Sequence, residues 1–181
     1  MPEFDYVTLI SNLDRNGLLD LWAQIEKGDT ADWPAGIAFE YLVLRALELD
    51  GAEVRWPFSV KLEGELVEQI DGVIYADGLS RLIESKHRSS KLNVEAIAKL
   101  RNQLARRPAT AVGVVFSYSG FTDTARKLAQ YLAPQTILLW HGSEIKHALM
   151  TEKMVSGLRL KYEHAVEHGL PDYNLLKGAA L

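Results

Sequence analysis

Glu84 and Lys86 stand two residues apart in "LIESKHRSS", residues 82 to 90, where an apolar run gives way to polar residues. Alternate side chains of an extended segment share a face, which sets this carboxylate and this ammonium together at a spacing of roughly 7 Å. Asp71, in "ELVEQIDGVIY", shares a face with Gln69 and Val73, and pairing of the two segments brings it beside Glu84. Glu40 is a third acid, with Gly36, Ile37, Val43 and Leu44 as its neighbours one helical turn away. A carboxylate in such apolar surroundings is costly unless it meets a cation. Two or three acids converging beside a lysine make a site for a hard divalent ion with oxygen ligands, magnesium above all. Such an ion acidifies a bound water and offsets charge on a phosphoryl oxygen, while the lysine steadies the attacking group. The reaction class such a site would serve is phosphodiester hydrolysis.

These residues need elements to hold them. Residues 4 to 27 carry apolar residues at helical spacing, broken near Asn16-Gly17, and predict two short helices. Asp32 is the expected cap of a buried helix entered through Pro34 and stopped at Gly51. The stretches "AEVRWPFSV", "ELVEQIDGVIY" and "SRLIESK" read as three strands, with Asp77-Gly78 as the turn before the last. A polar helix is expected from Asn93 to Arg107, then strand "AVGVVFSY", a helix capped by Thr122, and strand "TILLW". The order fits an α/β layer with an antiparallel region and a later parallel crossover. Glu144 to His168 reads as one helix packed on the outside, and "KGAAL" as a loose tail.

Composition sets the frame. A chain of 181 residues, 48% hydrophobic, is about one domain long and buries a full core. Having no cysteine, it has neither disulfides nor a thiolate site. The start "MPEFDYVTLI" lacks the build of a secretory signal, and no apolar run approaches the roughly 18 residues of a membrane span; the expectation is a cytoplasmic protein with no membrane partner. The formal charge of −4 hides an asymmetry: Arg81 to Arg107 holds eight bases against two acids, a local +6, which leaves −10 for the remainder. A basic helix just past the lysine favours contact with a DNA backbone through His87, Arg88, Lys91, Lys99 and Arg101.

Taken in order, "GIAFEYLVLRALELDGAEV", "QIDGVIY", "LIESK" and "GFTDTARKLAQ" leading to "ILLWHGSEI" resemble the nuclease domain of Mrr-type restriction endonucleases, a branch of the PD-(D/E)xK superfamily. The resemblance implies a restriction endonuclease-like α/β fold: a mixed central sheet flanked by helices, with extra N-terminal and C-terminal helices. It divides the chain into an extension at residues 1–33, a core at 34–146 and a terminal helix and tail at 147–181. It implies a Mg2+ (or Mn2+) site on Asp71, Glu84, the Ser85 carbonyl and Glu40, with Lys86 positioning the attacking water and Gln103 in the following helix assisting. Many Mrr-like proteins carry glutamine where this chain has Glu84. The expected function is a metal-dependent DNA endonuclease of restriction or repair type, acting as a homodimer for double-strand cuts. A separate recognition subunit is a further expected partner, since the terminal helices leave little room for target recognition.

Other readings compete. An inactive DNA-binding or protein-interaction module of the same fold fits the same sequence. Asp71-Gly72 has a second reading as a hairpin turn, Glu40 as an outward-facing residue and Gln103 as a surface residue. Glu144-Ile145-Lys146 repeats the acid-x-lysine pattern and reads as a solvated face. His164-x-x-Glu167-His168 fits the signature of inverted zinc proteases, but only thirteen residues follow for a third ligand, which favours two exposed histidines.

Overall fold

The apolar spacing of the first segment produces two helices, α1 (Glu3–Ser11) and α2 (Arg15–Lys27). The computed structural model describes residues 3–30, 32–34, 36–56 and 58–178. Asp14 caps α2 by accepting the Gly17 N–H, and Gly28 ends it in the left-handed conformation at φ 71°. α3 (Ile37–Leu49) starts from Gly36 with no side-chain cap, so Asp32 is not its cap but an exposed turn residue. Eight of its thirteen residues are buried, as a helix apolar nearly all round requires.

Two of the expected strands each divide in two. β1 (Glu53–Arg55) and β2 (Phe58–Leu62) replace the first, and β3 (Glu65–Ile70) and β4 (Gly72–Ala76) replace the second. β2 and β3 form a separate antiparallel ribbon, turned at Glu63 and Gly64 with φ 52° and 89°. β4 continues in the main sheet. The joint between β3 and β4 is Asp71, and Gly72 beside it allows a close approach: a Cβ there would lie 2.6 Å from Leu44 Cδ2 on α3. Asp77 and Gly78, both at positive φ (51° and 73°), make the turn into β5 (Leu79–Lys86), the turn the sequence assigned to them.

β6 (Val112–Ser117) and β7 (Ile137–His141) complete a five-stranded mixed sheet in the order β1-β4-β5-β6-β7. The β1, β4 and β5 pairings are antiparallel, and those of β5, β6 and β7 parallel. α4 (Val94–Leu104) and α5 (Asp123–Gln130) are the crossovers, capped by Asn93 and by the expected Thr122. α4 is shorter than the sequence implied and amphipathic, with Ile97, Leu100, Gln103 and Leu104 buried. One face of the sheet, carrying Leu82 and Val115, packs on α4 and α5; the other, carrying Ile83 and Val114, packs on α1, α2, α3 and the C-terminal helices. This is a mixed α/β fold, a five-stranded central sheet flanked by helices on both faces.

The segment after Glu144 differs from its expectation. It forms α6 (Gly142–Thr151) and α7 (Met154–His168), broken at Glu152 in the left-handed conformation, with a short α8 (Leu175–Gly178) after them. It does not lie outside the core, because Ile145 and Leu158 are fully buried and join the α3 cluster. Glu144 is not on a solvated face either: its carboxylate is buried against the Lys161 ammonium at 2.7 Å. Of the tail, Lys177 and Gly178 end α8, and residues 179–181 lie outside the described residues. No described helix is long and apolar enough to cross a membrane.

Candidate active site

The antiparallel register sets Gly72 across from Ile83, so the next position sets Asp71 across from Glu84 at the carboxyl end of β5. Asp71 Oδ2 accepts the Ser85 N–H at 2.6 Å, which extends the pairing where the ladder would otherwise end. Asp71 is thus the joint between two strands and not the tip of a hairpin. Glu84 is fully buried, and two ammonium groups hold its two oxygens: Lys86 Nζ lies 2.6 Å from Oε1 and Lys99 Nζ 2.7 Å from Oε2. Lys86 Nζ also donates to the Ser85 carbonyl at 3.1 Å and stands 3.9 Å from Asp71 Oδ2.

Three oxygens therefore surround one cationic group: Asp71 Oδ2, Glu84 Oε1 and Ser85 O. Glu84 Oε1 has its ammonium as an ion pair but makes no directed hydrogen bond. Two carboxylates and a carbonyl are the donor types that a hard divalent cation takes, and here the Lys86 ammonium occupies the point between them. Among the described residues no three His, Asp or Glu side chains form a metal cage by themselves; this set is completed by a backbone oxygen.

The electrostatics follow from the crowding. Burial and the neighbouring Glu84 charge push the Asp71 carboxyl up to about 6, against the opposing pull of Lys86, the Ser85 N–H and Lys99. Burial works against the Lys86 ammonium, but Asp71, Glu84 and Glu40 outweigh it and hold its pKa above the ordinary value. Lys86 is therefore a permanent cation at neutral pH. Glu40, half-buried in the first turn of α3, belongs to the same field.

Gln103 is brought elsewhere. It is buried, not a surface residue, and its Nε2 donates to the Gln69 carbonyl at 3.2 Å, tying α4 to β3. Lys99, one turn earlier on the same helix stripe, occupies the position facing the acids. Its spacing of four from Gln103 was the available signal, but nothing in the sequence aimed it at Glu84. Ser85 turns its side chain away, with a buried hydroxyl that has no hydrogen-bond partner.

The basic stretch is more committed than its charge implies. Arg81 is buried and donates to the Ala76 carbonyl, and Arg106 and Arg107 pair with the buried Glu68 of β3. With Lys86 and Lys99 on Glu84, three of the eight bases remain exposed and, among the described residues, without an ion pair: Arg88, Lys91 and Arg101. His87 meets Tyr118 edge to face at 4.7 Å and lies tilted against Phe39 at 5.9 Å, and burial lowers its pKa, leaving it neutral near pH 7. His164 and His168 do share a face, with rings 4.4 Å apart, His164 packs on Tyr173 and Glu167 lies 3.6 Å from His168, but among the described residues no cluster of three metal-ligating side chains forms here.

A family model for the catalytic domain of Mrr, described as a restriction endonuclease, matches residues 34–149. No curated protein matches the chain significantly. A crystal structure of a protein of unknown function, AF1548, is similar at TM-score 0.48 and 20% identity over 72% of this chain and 77% of that one.

Proposed function

The chain belongs to the restriction endonuclease family, and we propose that it is a divalent-metal-dependent DNA endonuclease whose site is Asp71, Glu84, the Ser85 carbonyl and Lys86, with Glu40 beside them. The observation that carries this reading is the convergence of the three oxygens on a single cationic point at the open end of β5. A nucleic acid is the fitting substrate, because hydrolysis of its phosphodiester is the reaction for which such a point charge is useful. A Mg2+ or Mn2+ ion held by Asp71, Glu84 and Ser85 O would supply an acidified water and neutralise charge on the phosphoryl group.

The chain's own residues do the rest. Asp71 and Glu84 hold their oxygens in place through the Ser85 N–H and Lys99. Lys86, its ammonium fixed as a cation, donates to the attacking water and to the phosphoryl oxygens as negative charge builds there; it does not act as the base. The water oxygen bonds to phosphorus as one P–O ester bond breaks, the water's proton passing to solvent and the leaving oxygen taking one from it, while Glu40, whose charge already acts on Lys86, orients the water. Arg88, Lys91 and Arg101 contact the backbone on either side. One site per chain cuts one strand, so double-strand cleavage takes a homodimer, and target choice draws on a further subunit or on DNA structure.

The test is cleavage of supercoiled plasmid with Mg2+ or Mn2+. Nicking or linearisation that EDTA, Asp71→Ala and Lys86→Ala each abolish supports the reading. Cleavage that survives both substitutions refutes the site, and metal-independent DNA binding without any cleavage favours the inactive module.

A further inference from the structure

Glu84 is the most deeply buried carboxylate of the site, and its two oxygens have different partners on different sides. Oε1 faces the point it shares with Asp71 and Ser85 O, where Lys86 Nζ lies. Oε2 faces α4, where Lys99 Nζ donates to it at 2.7 Å from a side chain about half exposed. A cavity of about 240 Å³ is lined by Glu84, both of its lysines, Asn93 and Glu95 among others, so the ammonium groups on the two oxygens border one space wide enough for a hydrated ion. Sites that hydrolyse phosphodiesters with two metal ions bridge them through a shared carboxylate, one oxygen to each. Here the second oxygen is already bound to a cation of the chain.

We propose that Lys99 is a positioning residue that serves as the resident second cation of the site, holding Glu84 Oε2 and limiting the chain to one divalent ion on Oε1. This inference rests on the metal-dependent reading above. The charges agree with it. Glu40, Asp71 and Glu84 against Lys86 and Lys99 leave −1, and one divalent ion turns this to +1, the complement of a phosphodiester. A second divalent ion would bring it to +3, with Lys99 and that ion on the same oxygen as like charges. The Lys86 ammonium is the group that must leave Oε1 when an ion arrives, which frees it for the phosphate. Lys99 has no such need, because it holds the other oxygen, Oε2.

The experiment is calorimetric titration of Mn2+ into the full DNA-free chain, comparing the wild type with Lys99→Gln and Lys99→Arg, with thermal melts of each. One ion per wild-type chain is expected, with wild-type affinity in Lys99→Arg. Lys99→Gln keeps a donor for Oε2 but loses the charge, and is expected to bind Mn2+ about tenfold or more tightly, as removal of a nearby like charge requires. A lysine that only braces the fold would give the opposite sign, since its loss would loosen the ligands and weaken binding. Two ions on the wild-type chain, or Lys99→Gln binding equally or more weakly, overturns the proposal while leaving the metal-dependent reading intact. No uptake by the wild type overturns both. Should Lys99→Gln not melt cooperatively, Lys99→Asn, equally neutral and short enough for water to reach Oε2, carries the same comparison.

Discussion

Asp71 shows what the site costs its fold. Folding raises its pKa from an ordinary carboxylate value to about 6, so the folded chain binds this proton more tightly than the unfolded one. Its stabilising effect is complete below about pH 4 and is lost as pH rises through about 6, leaving the ionised, metal-free site strained at neutral pH. Asp71→Asn is therefore expected to abolish cleavage and to stabilise the metal-free protein by about 1–3 kcal/mol at pH 7, with little gain at pH 4. Denaturant melts at the two pH values check this, and a variant equally destabilised at both would contradict it. Lys86 gives a second case. Lys86→Met removes the ammonium that lies on Glu84 Oε1, so Mn2+ is expected to bind more tightly by calorimetry while plasmid cleavage disappears. Tight metal binding with no turnover would separate its role in the reaction from any role in holding the metal.

At the scale of elements, α4 serves three tasks. Its buried face packs on the sheet, Lys99 reaches Glu84, and its end holds the β2–β3 ribbon through Gln103 on Gln69 O and Arg106 and Arg107 on Glu68. Because Asp71 is the hinge from that ribbon into β4, loosening the ribbon moves a site residue. Gln103→Ala is expected to cost about 1–2 kcal/mol by leaving the Gln69 carbonyl unpaired, and to lower cleavage further than that loss explains. Melting curves and single-turnover rates on the same preparations compare the two effects. The exposed bases form the other face of this prediction. Replacing Arg88, Lys91 and Arg101 by glutamine is expected to weaken DNA binding across sequences and to reduce the salt dependence by roughly three counterions, as filter binding or anisotropy at several salt concentrations would report. An unchanged salt slope would place the DNA elsewhere.

In the whole molecule, the C-terminal segment comes back to the β7 edge of the sheet. Leu139 N–H donates to Pro171 O, Asp172 meets His141 at 2.9 Å and pairs with Arg126, and Lys161 binds both Glu144 and the Tyr173 carbonyl. Lys161→Met leaves Glu144 buried without its cation and is expected to cost about 3–5 kcal/mol, most of it regained on adding Glu144→Gln. Equal melting of the single and double variants would show that the pair is not what the segment depends on. The sequence by itself determined a good deal: periodicity marked the helices, turn residues placed Asp77-Gly78, and alternation put Glu84 and Lys86 on one face of β5, whereas Asp71 stands beside them only through the pairing of separate segments. Those are local properties, set by backbone geometry over a few residues. What only the tertiary structure decided is which charges meet. Lys99 and Gln103 are both polar residues of one helix, and whether each faces an acid, a strand or water depends on how α4 lies against β5 and β3. The same holds for Glu144, whose acid-x-lysine pattern matches that of Glu84 and Lys86 but whose partner, Lys161, comes from another helix seventeen residues on. Burial and ion pairing are long-range, so a charge run in sequence leaves open how much of it is spent inside the fold.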